Sequence, residues 1–332
     1  MKGGGPLGER LSGLGIPVRT FGGRGTFSAL RLLPWLTWRL KAASPDILHT
    51  WLTPANVLGR LAARAAGIKA VVSSLRVVER ENKLHILLEK LTQGLSLRIT
   101  VNSEAVREFA VRRLGVADRK LRLIPNAWEP AAAGTGTGRL PIPREWLGPS
   151  GTLIGSAGRL ETQKGFLFLL EAFRALSAAR PEVRLAIAGE GGRRAALEAA
   201  IRKLGLDGRV ALVGNLSDLK PFLKELRLFV LPSLWEGFPN VLTEAAGENV
   251  PIVATAAGGT PELIRHGETG LLVPPGDPAA LHRAMEEALS EPEAARRRAE
   301  AAGRLLRERY SISTTVGMTE ALYEEILCTL SR

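Results

Sequence analysis

Leu153–Leu170 reads LIGSAGRLETQKGFLFLL. It begins as an apolar run of strand length, reaches a glycine turn, with Gly155 and Gly158 allowing close backbone approach, passes through a basic loop, and continues as Phe166–Ala179 with helical apolar spacing. A buried strand that feeds a helix through a glycine turn is the building unit of an α/β protein. Arg159 and Lys164 fall in that loop, at the carboxyl end of the strand, where open parallel sheets take ligands. A planar guanidinium fork beside a compact ammonium suits a diphosphate. The plainer alternative is a pair of solvated loop charges.

The same rhythm extends in both directions. Short apolar runs predict parallel strands at Asp46–His49, Ala70–Ser74, Arg98–Val101, Leu121–Ile124, Thr152–Ser156, Val183–Ala188, Val210–Val213, Leu228–Leu231, Pro251–Ala254 and Gly270–Val273. Amphipathic stretches between them predict helices at Ala55–Ala66, Leu84–Leu97, Phe166–Ala179, Arg193–Leu204 and Pro278–Leu289. From Pro292 the chain reads as helix with a break near Tyr310–Ser313. Ala127–Gly151 breaks the rhythm: Pro130, Pro141, Pro143 and Pro149 with Gly134, Gly136, Gly138 and Gly148 predict a linker. Leu114–Asn126 (LGVADRKLRLIPN) faintly echoes Leu204–Asn215 (LGLDGRVALVGN), as two similar α/β units would.

The 332 residues suffice for two ordinary domains, and 45% apolar with 23% charged residues describes a globular chain with sizeable cores. A single cysteine, Cys328, excludes an intramolecular disulfide and a cysteine-rich zinc site, and fits a reducing compartment. The apolar stretch Phe27–Trp38 is broken by Arg31 and Pro34 and is too short to span a membrane. The net charge of +12 is uneven: residues 1–145 hold 23 basic against 10 acidic side chains, and residues 146–332 hold 22 against 23. A basic half predicts an anionic partner: a membrane surface, a phosphorylated substrate or nucleic acid. A generic arginine-rich surface accounts for it equally well. No nucleic-acid-binding module is recognisable, so that partner ranks last.

Leu231–Gly247 (LPSLWEGFPNVLTEAAG) reads as a strand end, a turn and a helix starting near Pro239. The first-turn amides of Phe238, Asn240 and Val241 are free to meet an anion. Glu236 and Glu244 flank that anion site, which makes sense if they accept hydrogen bonds from sugar and ribose hydroxyls. Otherwise they are an ordinary loop carboxylate and a helix-surface carboxylate favoured by the dipole. Ala257–Leu272 (AGGTPELIRHGETGLL) offers a second such turn at Gly258, Gly259 and Thr260, or simply a tight strand-to-helix connection.

Four segments, GRLETQKGF, AGEGGRRAALEAAIRKLGLDGRVALVGN, LPSLWEGFPNVLTEAAG and GGTPELIRHGETGLLVPPGD, resemble in order the nucleotide-binding half of the family 4 retaining glycosyltransferases. HTWLTPANVLGRLAARAAG, VVSSLR, VNSEAVREF and LRLIPNAW resemble the other half more loosely. The resemblance implies the GT-B fold: two Rossmann-like domains facing across a cleft. It implies an acceptor-side domain over 1–126, a linker over 127–150, a donor domain over 151–310 and a helix over 311–332 that crosses back. It implies that Arg159 and Lys164 hold the donor diphosphate, with Gly158 beside them. Glu236 and the backbone of Gly237, Phe238, Pro239, Asn240 and Val241 would contact the transferred sugar and phosphate. Glu244 would hold the ribose, and Asn215 and Leu216 the base. The expected ligand is a UDP- or GDP-linked sugar, with no metal and no cofactor. The expected acceptor is a glycan or lipid-linked hydroxyl in glycolipid, polysaccharide or envelope glycan synthesis. The expected place is cytoplasmic, peripheral to the inner face of the cell membrane.

The sequence departs from the family pattern at its start. Only MKGGGPLGERLSGL precedes GIPVRTF, so the expectation is an incomplete first domain that lacks one βαβ unit, and the rival reading is a catalytically inactive nucleotide-sugar-binding relative. The sugar-contact histidine that the family often carries after an N-domain strand has no obvious counterpart. Arg76 takes that place in sequence, and His49, beside Thr50 and Trp51, is expected to face the cleft. Phe27–Ala43, with Trp35, Trp38, Arg31, Arg39 and Lys41, reads either as an interfacial helix on an anionic membrane or as a core-packing helix with a basic outer face. Pro34 is expected to break it.

Overall fold

The computed structural model describes residues 5–21, 28–79, 82–129, 142, 144–147 and 151–330. Most of the expected linker lies outside these residues, as does Phe27. The described strands form two parallel sheets. One runs β1 (Leu48–Trp51), β2 (Val71–Leu75), β3 (Arg98–Val101) and β4 (Leu121–Leu123) in sequence order. The other comprises β5 (Thr152–Ala157), β6 (Val183–Ala188), β7 (Val210–Gly214), β8 (Leu228–Leu231), β9 (Ile252–Thr255) and β10 (Leu271–Val273) in the order β10-β9-β8-β5-β6-β7. The order of strand addition reverses between β5 and β8, which pair in parallel at Ile154 and Gly155 of β5. At such a reversal the loops leaving neighbouring strands diverge to opposite faces and open a crevice.

The strands read as unbroken apolar runs because helices cover both faces of the larger sheet. Neighbouring side chains in β5 point to opposite sides. Ile154 packs with Leu169, Phe173, Leu185 and Val230, whereas Leu153 packs with Phe222, Phe229 and Leu306. Each such fully buried side chain contributes about 1.5–3 kcal/mol. In the smaller sheet Ile99 and Val101 meet Val106, Ala110 and Leu114 of the Glu104–Leu114 helix. The opposite face, at Val72 and Ile124, is covered by Leu322 and Ile326 of the Ile312–Leu330 helix. Between that sheet and its helices sits a buried polar knot. Arg60 pairs with Glu89 at 2.5 Å and donates from Nε to the Ser73 and Ser96 hydroxyls at 3.1 and 2.7 Å.

Two expectations need correction. The first strand lies two residues later than Asp46–His49, because Thr50 and Trp51 pair in register with Ser73 and Ser74. Pro34 does not break its helix: Ser28–Ala43 is one continuous helix with Pro34 inside it. The ring removes one backbone donor, but Pro34 is exposed, and the helix packs along Thr53–Ala66 through a face that includes buried Leu40. Among the described residues no helix is long and apolar enough to cross a membrane.

Candidate functional site

The loops that leave β5 and β8 build the site at the strand-order reversal. After β5 the chain turns at Gly158, whose φ of 154° suits glycine, and a Cβ added there would press on the Lys164 side chain at 3.2 Å. Arg159 is exposed, and among the described residues its one hydrogen bond is Nη2 donating to Gln163 Oε1 at 3.3 Å. Lys164 turns inward. Its Nζ lies 2.5 Å from Glu236 Oε1, which also accepts from the Ser233 hydroxyl at 2.7 Å. Glu236 is 5% exposed, so its charge is desolvated and requires these partners. Gln163 braces the same loop by donating to the Trp235 carbonyl at 2.9 Å.

Beyond β8 the chain enters the Asn240–Gly247 helix. Pro239 stands at its N-terminal cap and makes no side-chain cap bond; its carbonyl takes the Leu242 amide at 3.0 Å, and, among the described residues, the Asn240 and Val241 amides are left for another acceptor. Glu244, one turn on, faces a cavity of about 650 Å³. Gly158, Arg159, Asn215, Leu216 and Val241 line the same cavity. Glu244 keeps an exposed face, but the cavity wall partly desolvates its carboxyl, and this, with the Asp218 charge second, raises its pKa from the ordinary value. Residues singled out in three separate sequence segments therefore share one cavity. Lys164, Glu236, Gly237, Phe238, Pro239 and Asn240 are not part of its wall. Glu190 and Ser217 also line the cavity. Sequence reasoning assigned them no role, although Glu190 stands in the quoted AGEGG turn after β6.

The two sheets meet next to Glu236. A Cβ on Gly237 would collide with the Arg76 carbonyl, and one on Gly259 would press on Ser103 at 2.7 Å. Gly259 donates its amide to the Gly237 carbonyl at 2.7 Å. Thr260 is fully buried, and its hydroxyl has no partner among the described residues. Glu262, in the same short helix, accepts from the Glu104 amide at 2.8 Å and so caps a helix of the other sheet. Arg76 donates to Asn126 Oδ1 at 2.9 Å, and Asn126 donates in turn to Asn240 Oδ1 at 2.5 Å. Arg76 thus reaches the cleft indirectly, through a residue the sequence reading left without a role. Its signal was the polar stop after β4 in LRLIPNAW.

His49 does not join this group. Its Nδ1 meets the Tyr323 hydroxyl at 2.6 Å, its Nε2 meets the Ser74 hydroxyl at 2.8 Å, and its ring stacks on Trp51. Burial, aided by the Arg76 charge, lowers its pKa to about 4, so the ring is neutral. The expectation that it faces the cleft is replaced by a tie between the smaller sheet and the Ile312–Leu330 helix.

A second cavity, of about 290 Å³, opens between the sheets on the other side of Glu236. It takes Trp235, Glu236 and Gly258 from one side and Phe109, Arg112 and Arg113 from the other.

Comparison with known proteins agrees with this fold. Residues 147–305 match the model described as Glycosyl transferases group 1, and residues 2–131 match that of Glycosyltransferase Family 4. The 2-deoxystreptamine glucosyltransferase of Streptomyces kanamyceticus is 25% identical over 293 residues, covering 82% of this chain and 75% of that protein. The Escherichia coli UDP-Gal:alpha-D-GlcNAc-diphosphoundecaprenol alpha-1,3-galactosyltransferase is 28% identical over 246 residues, covering 70% of this chain and 64% of its own. The crystal structure of Anabaena Alr3699/HepE in complex with UDP-glucose superposes with a TM-score of 0.81 at 22% identity, over 98% of this chain and 89% of that one. That likeness shows the fold, two Rossmann-like units of the GT-B type.

Proposed function

This chain belongs to the family 4 glycosyltransferases of GT-B fold, and on that premise we propose that it moves a sugar, with retained anomeric configuration, from a nucleotide diphosphate to an acceptor hydroxyl. The observation that carries the reading is the shared cavity at the β5/β8 reversal, where Arg159, Asn215 and Glu244 converge beside the Lys164–Glu236 pair. In this reading Asn215 and Leu216 flank the base, and Glu244 accepts from the ribose hydroxyls. Arg159, Lys164 and the amides at the start of Asn240–Gly247 take the diphosphate.

The chemistry follows from where charge develops. As the bond between the anomeric carbon and the phosphate oxygen breaks, negative charge builds on the diphosphate, and fixed cations and amides stabilise it most at that moment. Glu236 accepts from the sugar hydroxyls and holds the ring over the departing phosphate. The acceptor hydroxyl attacks from the same face and loses its proton to the leaving phosphate oxygen, which retains the configuration. Metal-independence belongs to the same proposal. So does the division into an acceptor-side unit over 1–126, a linker over 127–150, a donor unit over 151–310 and a returning helix over 311–332. The acceptor, a glycan or lipid-linked hydroxyl, is proposed to be met at the cytoplasmic face of the membrane.

Incubation with UDP- and GDP-linked glucose, galactose, mannose and N-acetylglucosamine and a panel of sugar acceptors, with EDTA present, tests this by proton NMR of the anomeric signal. The proposal expects a product of the donor's own configuration. An inverted anomer, or transfer abolished by EDTA, would overturn the mechanism.

A further inference from the structure

The cleft cavity beside Glu236 has a chemistry of its own. Two partly buried aromatic rings, Phe109 and Trp235, line it, which is the surface that the apolar face of a sugar ring packs on. Its charges are unevenly matched. Glu236 is paired with Lys164, and Glu108 is paired with Arg112 at 2.8 Å. Arg113 lines the same cavity, is exposed, and makes no hydrogen bond or ion pair among the described residues. The cavity therefore presents one uncompensated guanidinium beside an aromatic platform. The helix dipole accounts for basic residues in the last turn of Glu104–Leu114. It does not account for one of them standing unpaired in a cavity that also holds Glu236.

We infer that this cavity is the acceptor subsite, that it takes a sugar carrying a phosphate, and that Arg113 reads that phosphate. The inference rests on the donor site proposed above, because the acceptor must reach the anomeric carbon held over Glu236. The phosphate sits on the sugar's far side from the attacking hydroxyl, where a guanidinium fork binds two of its oxygens. Free glycosyl phosphates and lipid-diphosphate-linked sugars share this chemistry. Arg112 contributes less, since binding there must compete with Glu108.

Calorimetric titration tests it with glucose, galactose, mannose and N-acetylglucosamine, each free and as the 1-phosphate, and with a decyl-diphosphate-linked N-acetylglucosamine. Each is run with and without saturating UDP or GDP. The expected result is that at least one 1-phosphate binds about tenfold or more tightly than its free sugar. Arg113→Ala removes that preference and leaves nucleotide binding unchanged, while Arg159→Ala, which leaves the Lys164–Glu236 pair in place, leaves the preference intact. The decyl compound binding more tightly than the free 1-phosphate, with the same dependence on Arg113, identifies the lipid-linked source; equal binding identifies the free phosphate. No preference for any phosphorylated sugar, or a preference that survives Arg113→Ala, overturns the inference. Loss of nucleotide binding alone overturns the donor site instead. Because Arg113 is exposed, its alanine variant is expected to fold, and its unchanged melting temperature is the control.

Discussion

Lys164 Nζ and Glu236 Oε1 lie 2.5 Å apart and tie the loop after β5 to the loop after β8, across the point where the sheet reverses its order. Both side chains are largely withdrawn from water, at 13% and 7% exposed. The pair places a cation and a carboxylate side by side where a diphosphate and a sugar are proposed to meet.

Removing one partner of this pair leaves the other charge poorly solvated. Lys164→Ala is expected to lower stability by about 2–4 kcal/mol, and Lys164→Ala/Glu236→Gln by less than that, because the double variant leaves no orphaned charge. Urea denaturation measures both. A double variant less stable than the single would contradict the account of the pair.

Glu244 should report through pH. Its folded carboxyl titrates above the ordinary range, because burial disfavours the charged form. As pH falls, Glu244 therefore protonates earlier than an unperturbed glutamate and stops offering two acceptor oxygens to a ribose. Nucleotide affinity is expected to weaken on acidification, starting above the usual carboxylate range, and Glu244→Gln should bind about tenfold more weakly at neutral pH with that acid dependence gone. Titration calorimetry between about pH 7.5 and 4.5 decides it. An unchanged pH profile in Glu244→Gln would remove the carboxylate from the binding account.

His49 should report through stability. Its pKa falls from 6.5 in the unfolded chain to about 4 in the fold, so between those values the unfolded chain binds more protons. Stability is therefore complete above the unfolded value and is lost as pH falls through that window. The shift corresponds to about 3 kcal/mol as a ceiling, and solvent screening of a partly accessible ring reduces the expected loss to about 1–2 kcal/mol. Thermal melts from about pH 7 to 4 should fall less steeply for His49→Gln than for the parent chain. Equal slopes would show that the ring does not sense folding.

The fold was legible because its signals are local. Every described strand overlaps an apolar run read from the sequence, and in central strands such as β5, β8 and β9 burial on both faces leaves no alternation to confuse with other patterns. The cavity was legible to the same extent, because Gly158, Arg159, Asn215 and Glu244 each follow a strand or lie in the first turns of a helix. What escaped is what the chain brings together over long distances. Asn126 meets Asn240 across 114 positions, and His49 meets Tyr323 across 274. Nothing near His49 in sequence announces a tyrosine on the final helix. The first strand was misplaced for a related reason: its register comes from pairing with Ser73 and Ser74 rather than from its own apolarity. Pro34 was read as a helix breaker, but the helix runs through it and packs along the neighbouring Thr53–Ala66 helix, which local sequence does not announce.

The most direct test of the central claim is a thermal-shift titration of the 332-residue chain with UDP and with GDP, beside Arg159→Ala/Lys164→Ala. A ligand that binds only the folded state stabilises it by about 2.7 kcal/mol at a hundredfold excess over its dissociation constant. The account predicts such a shift with one of the two nucleotides and its loss in the double variant. A folded chain that shifts with neither nucleotide, or a shift that persists without Arg159 and Lys164, would contradict it.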